Sequence, residues 1–400
     1  MTAKRRIAVV SPFLDKRHGT ERCVAEQIEG LARDYGYEVH LYSQRVEDVD
    51  GGGGGGIVWH RVPAAPGPGL VRYLWWFAAN HLLRWWDAGV RGVRYDVLYS
   101  PGVNCLDADA VNVHIVYAAF RELVRADLGL RGNAPITWLR ILHRRLYYRL
   151  IAGLERRVYG RNDTALAAVS RRTAKELAQR YRRNGEVSVV YNAVDSTRFT
   201  PQTRERRRAP ARRDLQLPVR AFVLLLVGND LKNKGLPCLL EAVAQTRDPH
   251  LFILVVGKDD PASIQARIDS LGLGSRVRFL PVRPDVEFYY AAADAYVGPS
   301  LEDAFALPPA EAMACGLPVI VSSQAGVSEI ITDGVDGLIL KDPRDAKELA
   351  GLIRGLVKDA DLRHRLGEQA VHTAQKYTWE RNVAETAAFL ENAMRRRRQP

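Results

Sequence analysis

PSLEDAFALPPAEAMACGLPVI, residues 299–320, carries the strongest local signals in this chain of 400 residues. The short apolar run 293–299 that leads into it predicts a buried strand. The Pro308-Pro309 pair predicts a helix that begins there and ends before Gly316. The stretch therefore predicts a loop between a strand and a helix, with the N-terminus of the helix facing the loop.

The backbone of this junction favours a ligand. Because proline has no N–H, the unsatisfied donors at the helix start precede the two prolines. They belong to Ala304, Phe305, Ala306 and Leu307. Such donors, together with the helix dipole, favour an anionic or hydroxyl-rich ligand. Two carboxylates, Asp303 and Glu311, flank the junction; the plainer interpretation is that Glu311 caps its own first turn and Asp303 is a solvated loop acid.

The segment resembles the Glu-x7-Glu motif of the retaining nucleotide-sugar glycosyltransferases of family 4. Glu311 stands at the second glutamate of the motif, which grips the ribose hydroxyls in that family. Asp303 stands at the first glutamate, and this replacement shortens the carboxylate arm that should reach the donor sugar. The resemblance implies a donor site built from these two acids and the loop amides between them.

The N-terminal region extends the resemblance. Residues 5–10 predict a first strand, followed by a loop with Gly19, a helix from about Thr20 and a second strand over 38–42, which is the opening of a nucleotide-binding fold. Gly19 stands in the family's Gly-Gly-x-Glu-Arg turn, where a glycine amide meets the donor diphosphate. The plainer interpretation is that the turn needs a glycine for a positive φ.

Lys234 and His114 are the other site residues that the resemblance implies. Lys234 follows the apolar strand predicted over 221–228 and matches a lysine that pairs with the diphosphate and stabilises charge on the leaving nucleotide. Many relatives carry arginines where this chain has Asn229 and Asn233. His114 ends a predicted strand and matches a position near the donor sugar. The plainer interpretations are an exposed lysine at a helix start and a structural histidine.

The fold that the resemblance implies is α/β, with two Rossmann-like domains facing each other across a cleft, the GT-B arrangement. The length suffices for two hydrophobic cores. Residues 1–200 are assigned to an N-terminal acceptor-binding domain, 201–218 to an interdomain linker and 219–376 to a C-terminal nucleotide-sugar-binding domain. Residues 377–400 are assigned to a C-terminal helix that packs back toward the first domain and ends in a frayed basic tail.

The activity implied is retaining, metal-independent transfer of a hexosyl unit from a nucleotide-diphosphate sugar, without a cofactor. A UDP- or GDP-sugar is the expected donor, and a saccharide or lipid-linked saccharide of cell-envelope glycan, polysaccharide or lipopolysaccharide biosynthesis is the expected acceptor. The expected catalytic residues are Asp303, His114 and Lys234. The expected donor-binding residues are Gly19, Lys234, Ala304, Phe305, Ala306, Leu307 and Glu311. The sequence shows no cluster of residues with metal-ligand spacing.

Other functions stay open. An epimerase or phosphorylase shares the GT-B fold, and Asp303 and the missing arginines are compatible with a noncatalytic sugar-nucleotide-binding relative. A net charge of +12 suggests a nucleic-acid binder. The basic segment has no recognisable helix-turn-helix, finger or RNA-binding module, so nucleic acid is not an expected partner.

The positive charge is concentrated in one region. Residues 131–183 contain fourteen Lys and Arg against three acids, and 138–159 within them predict an arginine-rich amphipathic helix. The preceding segment, 70–86, contains four tryptophans but is too short and too interrupted to span a bilayer. Tryptophan with arginine favours an interfacial helix and predicts peripheral attachment to an anionic membrane surface, whereas the plainer interpretation places the tryptophans inside the fold.

Two further features concern compartment and loops. The four cysteines are widely separated and the N-terminus shows no apolar leader, which predicts a cytoplasmic protein, peripheral on the inner face of the cell membrane if the attachment holds. Six glycines, residues 51–56, predict a flexible surface loop.

Overall fold

The computed structural model describes residues 4–50, 56–124, 138–183 and 185–398. Most of the glycine run and the start of the basic segment, residues 131–137, lie outside these ranges. The chain divides into two compact units. The first comprises the residues up to Tyr191 together with those from Glu380 onward, and the second runs from Asn192 to Trp379.

The first unit is built on a parallel sheet. Its strands are β1 (Arg6–Val10), β2 (Phe13–Leu14), β3 (Glu38–Ser43), β4 (Arg45–Val46), β5 (Ile57–Arg61), β6 (Val97–Pro101), β7 (Ala110–Val113), β8 (Ala165–Ala168) and β9 (Ser188–Val189). Its helices are α1 (Gly19–Asp34), α2 (Gly69–Gly89), α3 (Tyr117–Leu123), α4 (Trp138–Tyr159) and α5 (Arg171–Arg180). The sheet order is β5-β3-β1-β6-β7-β8-β9, and β2 pairs with β4 separately. Residues 7–10 of β1 are fully buried, as expected for a sheet covered on both faces.

The second unit also contains a parallel sheet, in the order β12-β11-β10-β13-β14-β15. Its strands are β10 (Phe222–Val227), β11 (Leu251–Val256), β12 (Val277–Leu280), β13 (Ala295–Gly298), β14 (Val319–Ser322) and β15 (Leu338–Leu340). Its helices are α6 (Pro201–Asp214), α7 (Leu236–Thr246), α8 (Ala262–Ser270), α9 (Glu287–Ala292), α10 (Leu307–Ala314), α11 (Ala346–Lys358) and α12 (Ala360–Ala374), with a 3₁₀ turn at Gly326–Ile330. The strand order reverses between β10 and β13, and ligands of such sheets bind at this switch point.

The last helix, α13 (Trp379–Arg398), returns to the core of the first unit. Its buried apolar residues recur at helical spacing: Val383, Ala387, Leu390 and Met394. Asn382 accepts a hydrogen bond from Gln27 Nε2 at 3.0 Å and donates to the Tyr191 carbonyl at 2.6 Å. The prediction of a frayed basic tail is wrong for the residues described, because the helix continues to Arg398 and Arg397 donates to Asp109 at 2.9 Å.

The predicted interdomain linker, 201–218, is for the most part the helix α6. Thr200 caps it by accepting from Thr203 N at 3.0 Å. Arg204 and Arg208, one turn apart, donate to the Ala293 carbonyl at 3.1 and 2.8 Å, and Arg212 donates to the Ala292 carbonyl at 3.1 Å. These arginines therefore satisfy carbonyls at the end of α9, which is why the segment is folded rather than a solvated linker.

The boundary between the units lies earlier than residue 200. The Val190 amide donates to the Ala168 carbonyl at 2.9 Å within the first sheet, whereas the Val194 amide donates to the Tyr377 carbonyl at 2.9 Å within the second unit. Backbone pairing thus changes units between these two valines.

Helices α2 and α4 cover the segments predicted from the tryptophan-rich and arginine-rich stretches. Of the helices in the described ranges, none has both the length and the apolar character required to cross a bilayer.

Gly30 of α1 lies where this helix meets α13, which predicts a cost for any larger side chain. A Cβ there would lie 2.5 Å from Val383 Cγ2. Alanine favours a helix over glycine by about 1 kcal/mol, but overpacking costs about 1–3 kcal/mol. We expect Gly30→Ala to lower the free energy of unfolding in urea, and Val383→Ala to remove that loss in the double variant.

The matched control is Gly153→Ala in α4, where a Cβ would meet nothing within 4 Å. This variant should be neutral or stabilised by up to about 1 kcal/mol. Stabilisation by Gly30→Ala in both Val383 backgrounds would contradict the close approach of α1 and α13.

Candidate functional site

Two loops at the switch point of the second sheet carry most of the predicted site residues. Strands β10 and β13 are parallel neighbours, with Leu224 opposite Ala295 and Leu225 opposite Tyr296. Loop 228–235 follows β10 and loop 299–306 follows β13. Because parallel neighbours end at the same edge of a sheet, both loops leave from one place.

Asn233 ties the two loops together. Its carbonyl accepts from Leu301 N at 2.7 Å, and its side-chain Nδ2 donates to the Glu302 carbonyl at 2.9 Å. Asn229 has a similar local role, because its Oδ1 accepts from Lys258 N at 2.8 Å. Both asparagines therefore fix backbone at the two positions where the family resemblance implies arginines.

Gly235 allows the loops to approach each other closely. It has a φ of +77° and precedes α7, and a Cβ at this position would clash with the Pro299 carbonyl oxygen. Gly228, with a φ of +150°, packs under the side chain of Lys234, whose Cε lies 2.8 Å from the position a Cβ would take. Gly228 thus leaves room for the Lys234 side chain, and Gly235 leaves room for Pro299.

Lys234 and Asp303, two of the predicted catalytic residues, form an ion pair between Nζ and Oδ2. Their side chains are 21% and 15% exposed, so the pair is largely removed from water. Neither plainer interpretation holds, since Asp303 is not a solvated acid and Lys234 is not an exposed helix-start lysine. The Lys234 ammonium, next to the backbone amides of loop 299–306, can bind an anionic leaving group.

The backbone around Asp303 is also fixed. Its amide donates to the Gln324 carbonyl at 3.2 Å, and its carbonyl accepts from Gly326 N at 2.9 Å. Its Oδ1 accepts from Phe305 N at 3.3 Å. The prediction of four available amides is therefore wrong for Phe305, whose donor is already directed at Asp303.

Ala306 holds an unusual conformation at the start of α10. As the N-cap residue it has a φ of +69° and a ψ of 100°, a region that residues with a Cβ avoid at a cost of about 1–3 kcal/mol. In the described residues, the amides of Ala304, Ala306 and Leu307 donate no hydrogen bond. Strained backbone with unsatisfied donors is typical of ligand-binding loops.

Helix α10 begins and ends as predicted and places Glu311 in the interior. Glu311 is 6% exposed, and its Oε2 accepts from the hydroxyl of Tyr290, on α9, at 2.7 Å. Burial raises the pKa of Tyr290 well above its ordinary value, and the Glu311 carboxylate raises it further. Tyr290 therefore stays protonated and holds one carboxylate oxygen in place as a donor.

In the first unit, Gly19 is the first residue of α1, so its conformation is helical and the positive-φ interpretation is wrong.

The buried Asp15 holds the turn that precedes Gly19. Asp15 accepts from Arg17 N at 2.8 Å and from His18 N at 2.9 Å, and its Oδ2 contacts His18 Nδ1 at 2.8 Å. Burial tends to raise the pKa of Asp15, but these hydrogen bonds outweigh it and hold the pKa below its ordinary value.

His114 directly follows β7 and is 8% exposed. Its Nε2 is buried without a hydrogen-bond partner in the described residues. Burial lowers the pKa of His114 to about 4, so the ring is neutral near pH 7. A buried nitrogen without a partner is uncommon in a purely structural histidine.

Three contributors were not predicted from the sequence: Asn233, Tyr290 and Asp15. The Asp-x-x-His spacing of residues 15–18 just before a helix is a capping-type signal that could have identified Asp15. Tyr290 contacts Glu311 from another helix, and no local pattern marks that contact.

Two family models match the chain and together cover most of it. The model described as Glycosyltransferase Family 4 matches residues 17–198, and the model described as Glycosyl transferases group 1 matches residues 207–373. The chain belongs to the family 4, group 1 glycosyltransferases. The predicted family is therefore confirmed.

Known members of the group show the same likeness. A D-inositol 3-phosphate glycosyltransferase of Corynebacterium jeikeium is 35% identical over 48% of this chain and 49% of its own length. The chain spans about half the length of several of the curated relatives it matches.

Solved glycosyltransferase structures share the fold. WaaG, a glycosyltransferase involved in lipopolysaccharide biosynthesis, is 22% identical with a TM-score of 0.77 over 95% of this chain and 98% of its own. HepE of Anabaena, crystallised with UDP-glucose, is 20% identical with a TM-score of 0.71 over 97% of this chain and 99% of its own. The predicted α/β class, with two parallel-sheet domains of the GT-B type, is confirmed.

The burial of His114 predicts a pH dependence of stability. Its pKa is about 4 in the folded protein and near 6.5 when exposed. Between these values the unfolded chain binds the extra proton, so stability should fall as the pH drops from about 6.5 toward 4, by up to about 3 kcal/mol. Urea unfolding of the wild type and of His114→Gln across this range measures it.

The variant should lose that part of the pH dependence, whereas the control His250→Gln, which removes an exposed histidine of the second unit, should keep it. Equal slopes for the wild type and His114→Gln would show that His114 is not buried in its neutral form.

Proposed function

We propose that this chain is a retaining, metal-independent glycosyltransferase that moves a hexosyl unit from a nucleotide-diphosphate sugar to a saccharide or lipid-linked saccharide. The observation that carries the proposal is the meeting of Lys234 and Asp303 beside unsatisfied amides at the switch point of the second sheet. Membership of the family supports the reaction class.

Lys234 is the proposed electrophilic group. In the reaction, the bond between the anomeric carbon and the diphosphate oxygen breaks, and the oxygen keeps the electron pair. The ammonium of Lys234 and the amides of Ala304, Ala306 and Leu307 would stabilise that developing charge. Phe305 would contribute through contacts other than its amide, which donates to Asp303.

The acceptor hydroxyl would form the new bond on the face that the diphosphate leaves, which preserves the anomeric configuration. Its proton would pass to the departing diphosphate. Under this scheme no protein nucleophile is needed, and Asp303 acts on the donor sugar and on Lys234.

Arrival of a donor would change the partner of Lys234. A diphosphate carries more negative charge than one carboxylate and would compete with Asp303 for the ammonium. Asp303 would then be available to accept hydrogen bonds from sugar hydroxyls. Glu311, held by Tyr290, would accept hydrogen bonds from the ribose hydroxyls.

Gly19 and His114 are the proposed contributions of the first unit. Gly19 opens α1, and an amide at a helix N-terminus suits a diphosphate oxygen. The neutral ring of His114, with a buried nitrogen lacking a partner, suits a sugar hydroxyl. The first unit would also bind the acceptor.

A UDP-sugar is the first donor to test and a GDP-sugar the second, because HepE, which shares the fold, was crystallised with UDP-glucose. A role in cell-envelope glycan biosynthesis is the corresponding proposal for the pathway, on the likeness to WaaG.

A noncatalytic sugar-nucleotide-binding protein is the second candidate. Asn229 and Asn233 fix backbone instead of supplying cations, and the short Asp303 carboxylate is engaged by Lys234. Asp303→Glu distinguishes the two candidates. A rise in sugar transfer indicates a weakened enzyme, and no transfer by either form indicates a binding role.

Thermal denaturation with UDP-, GDP-, ADP- and TDP-sugars, each with and without EDTA, tests the proposed donor site. A bound donor must raise the Tm. We expect one nucleotide to raise it, EDTA to have no effect, and Glu311→Ala to abolish the rise. No rise with any of the sugars would contradict the proposal, and a rise that EDTA removes would contradict metal independence.

Tyr290→Phe should weaken donor binding by about ten- to a hundredfold, because a hydrogen bond to a charged group contributes about 1.5–3 kcal/mol. Calorimetric titration of the nucleotide that raises the Tm measures this effect. The control is Tyr289→Phe, whose hydroxyl donates to the Pro281 carbonyl at 2.7 Å and not to Glu311. Equal losses in the two variants would show that Glu311 is not positioned through Tyr290.

A further inference from the structure

Helix α2 presents an unusually apolar exposed face. Its exposed apolar residues recur every three or four positions: Val71, Leu74, Trp75, Ala78, Leu82, Trp85 and Trp86. The opposite face is the one that packs into the first unit, through residues such as Trp76 and Asn80. Trp85 is 73% exposed. Such large side chains seldom stay in water over a whole helix face without a partner.

Helix α4 presents a second apolar stripe. Trp138, Leu139, Leu142 and Leu146 are exposed, and Leu139 reaches 80%. Exposed arginines accompany them on the same helix: Arg140, Arg144, Arg149, Arg156 and Arg157.

Helices α2 and α4 expose no acidic side chain, so their surface favours a negatively charged partner. Each of these fully described helices contains one acid, and both acids are fully buried. Asp87 of α2 accepts from Tyr42 at 2.7 Å and Arg91 at 3.0 Å. Glu155 of α4 accepts from Tyr117 N at 2.7 Å. The solvent-facing charges of α2 and α4 are therefore all positive.

The two helices are neighbours in the first unit. Leu70 N lies 3.4 Å from His143 Nε2, and the rings of Tyr73 and Tyr147 meet edge to face at 5.8 Å. Residue 70 contacts 143 and residue 73 contacts 147, so the numbers rise together and α2 and α4 run parallel where they touch. The exposed residues of these two helices in contact are here called the α2–α4 surface.

We propose that the α2–α4 surface docks on the interfacial layer of an anionic lipid bilayer. Exposed tryptophan and leucine suit the boundary between head groups and acyl chains, and the exposed arginines of two helices that themselves expose no acid suit anionic head groups. A protein partner would pair individual acidic side chains with individual arginines. A lipid bilayer offers an apolar interior for the tryptophans and leucines and a negative charge spread over its head groups. The proposal is independent of the glycosyltransferase activity proposed above.

Flotation of the full chain with vesicles tests the proposal. Vesicles of phosphatidylcholine alone are compared with vesicles that also contain phosphatidylglycerol, at low and high salt. We expect binding to the anionic vesicles, a marked decrease at high salt, and a blue shift of tryptophan emission on binding. Equal binding to both vesicle types, or none to either, would overturn the proposal.

Two sets of variants locate the contact. Arg140→Gln, Arg144→Gln and Arg149→Gln combined should weaken binding about a hundredfold, at a contribution of about 1 kcal/mol for each basic residue. Leu82→Ser with Trp85→Ser should remove most of the remaining binding and the blue shift. Both sets change exposed side chains, so circular dichroism and the Tm should stay unchanged.

The control for charge is Arg206→Gln, Arg213→Gln and Arg220→Gln combined, and the control for apolar exposure is Val219→Ser with Val335→Ser; all these residues are exposed in the second unit. Both controls should bind like the wild type. Control losses equal to those of the α2–α4 variants would overturn the assignment. Self-association in sedimentation velocity that Trp85→Ser abolishes, without vesicle binding, would show that a second copy covers the surface.

Discussion

The parallel pairing of β10 with β13 is the constraint on which the proposed donor site depends. The pairing places loops 228–235 and 299–306 at one edge of the sheet, at the point where the strand order reverses. Asn233 then joins the loops through two hydrogen bonds, and Gly235 lets them approach more closely than any residue with a Cβ would. Because of these contacts, Lys234 and Asp303 meet although they are far apart in the sequence.

The ion pair between Lys234 and Asp303 has a dual consequence. Because both side chains are largely removed from water, an unpaired charge on either one would cost free energy. The pair therefore stabilises the two loops in the absence of ligand. In the proposed donor site the same pair would set a threshold for binding, because a donor diphosphate would have to interact with Lys234 more strongly than Asp303 does. The unsatisfied amides beside the strained Ala306 would lower that threshold for an anion.

Local patterns were sufficient to predict much of the fold. The apolar runs of β1 and β10 and the two prolines at the start of α10 determine those elements with little help from the rest of the chain. Segment 201–218 was misassigned because an arginine-rich stretch with prolines is also typical of a solvated linker, and its partners, the carbonyls at the end of α9, lie far away in sequence. For the same reason the Tyr290 contact to Glu311 and the role of Asn233 could not be predicted.

Calorimetric titration of UDP and GDP into the wild type, Asp303→Asn and Lys234→Met tests most directly whether Lys234 exchanges Asp303 for a diphosphate. Asparagine keeps the shape of Asp303 and an acceptor for Phe305 N but removes the competing charge. The exchange predicts tighter binding of one nucleotide by Asp303→Asn and weaker binding by Lys234→Met. Binding that is unchanged or weaker in Asp303→Asn, together with unchanged binding in Lys234→Met, would contradict it.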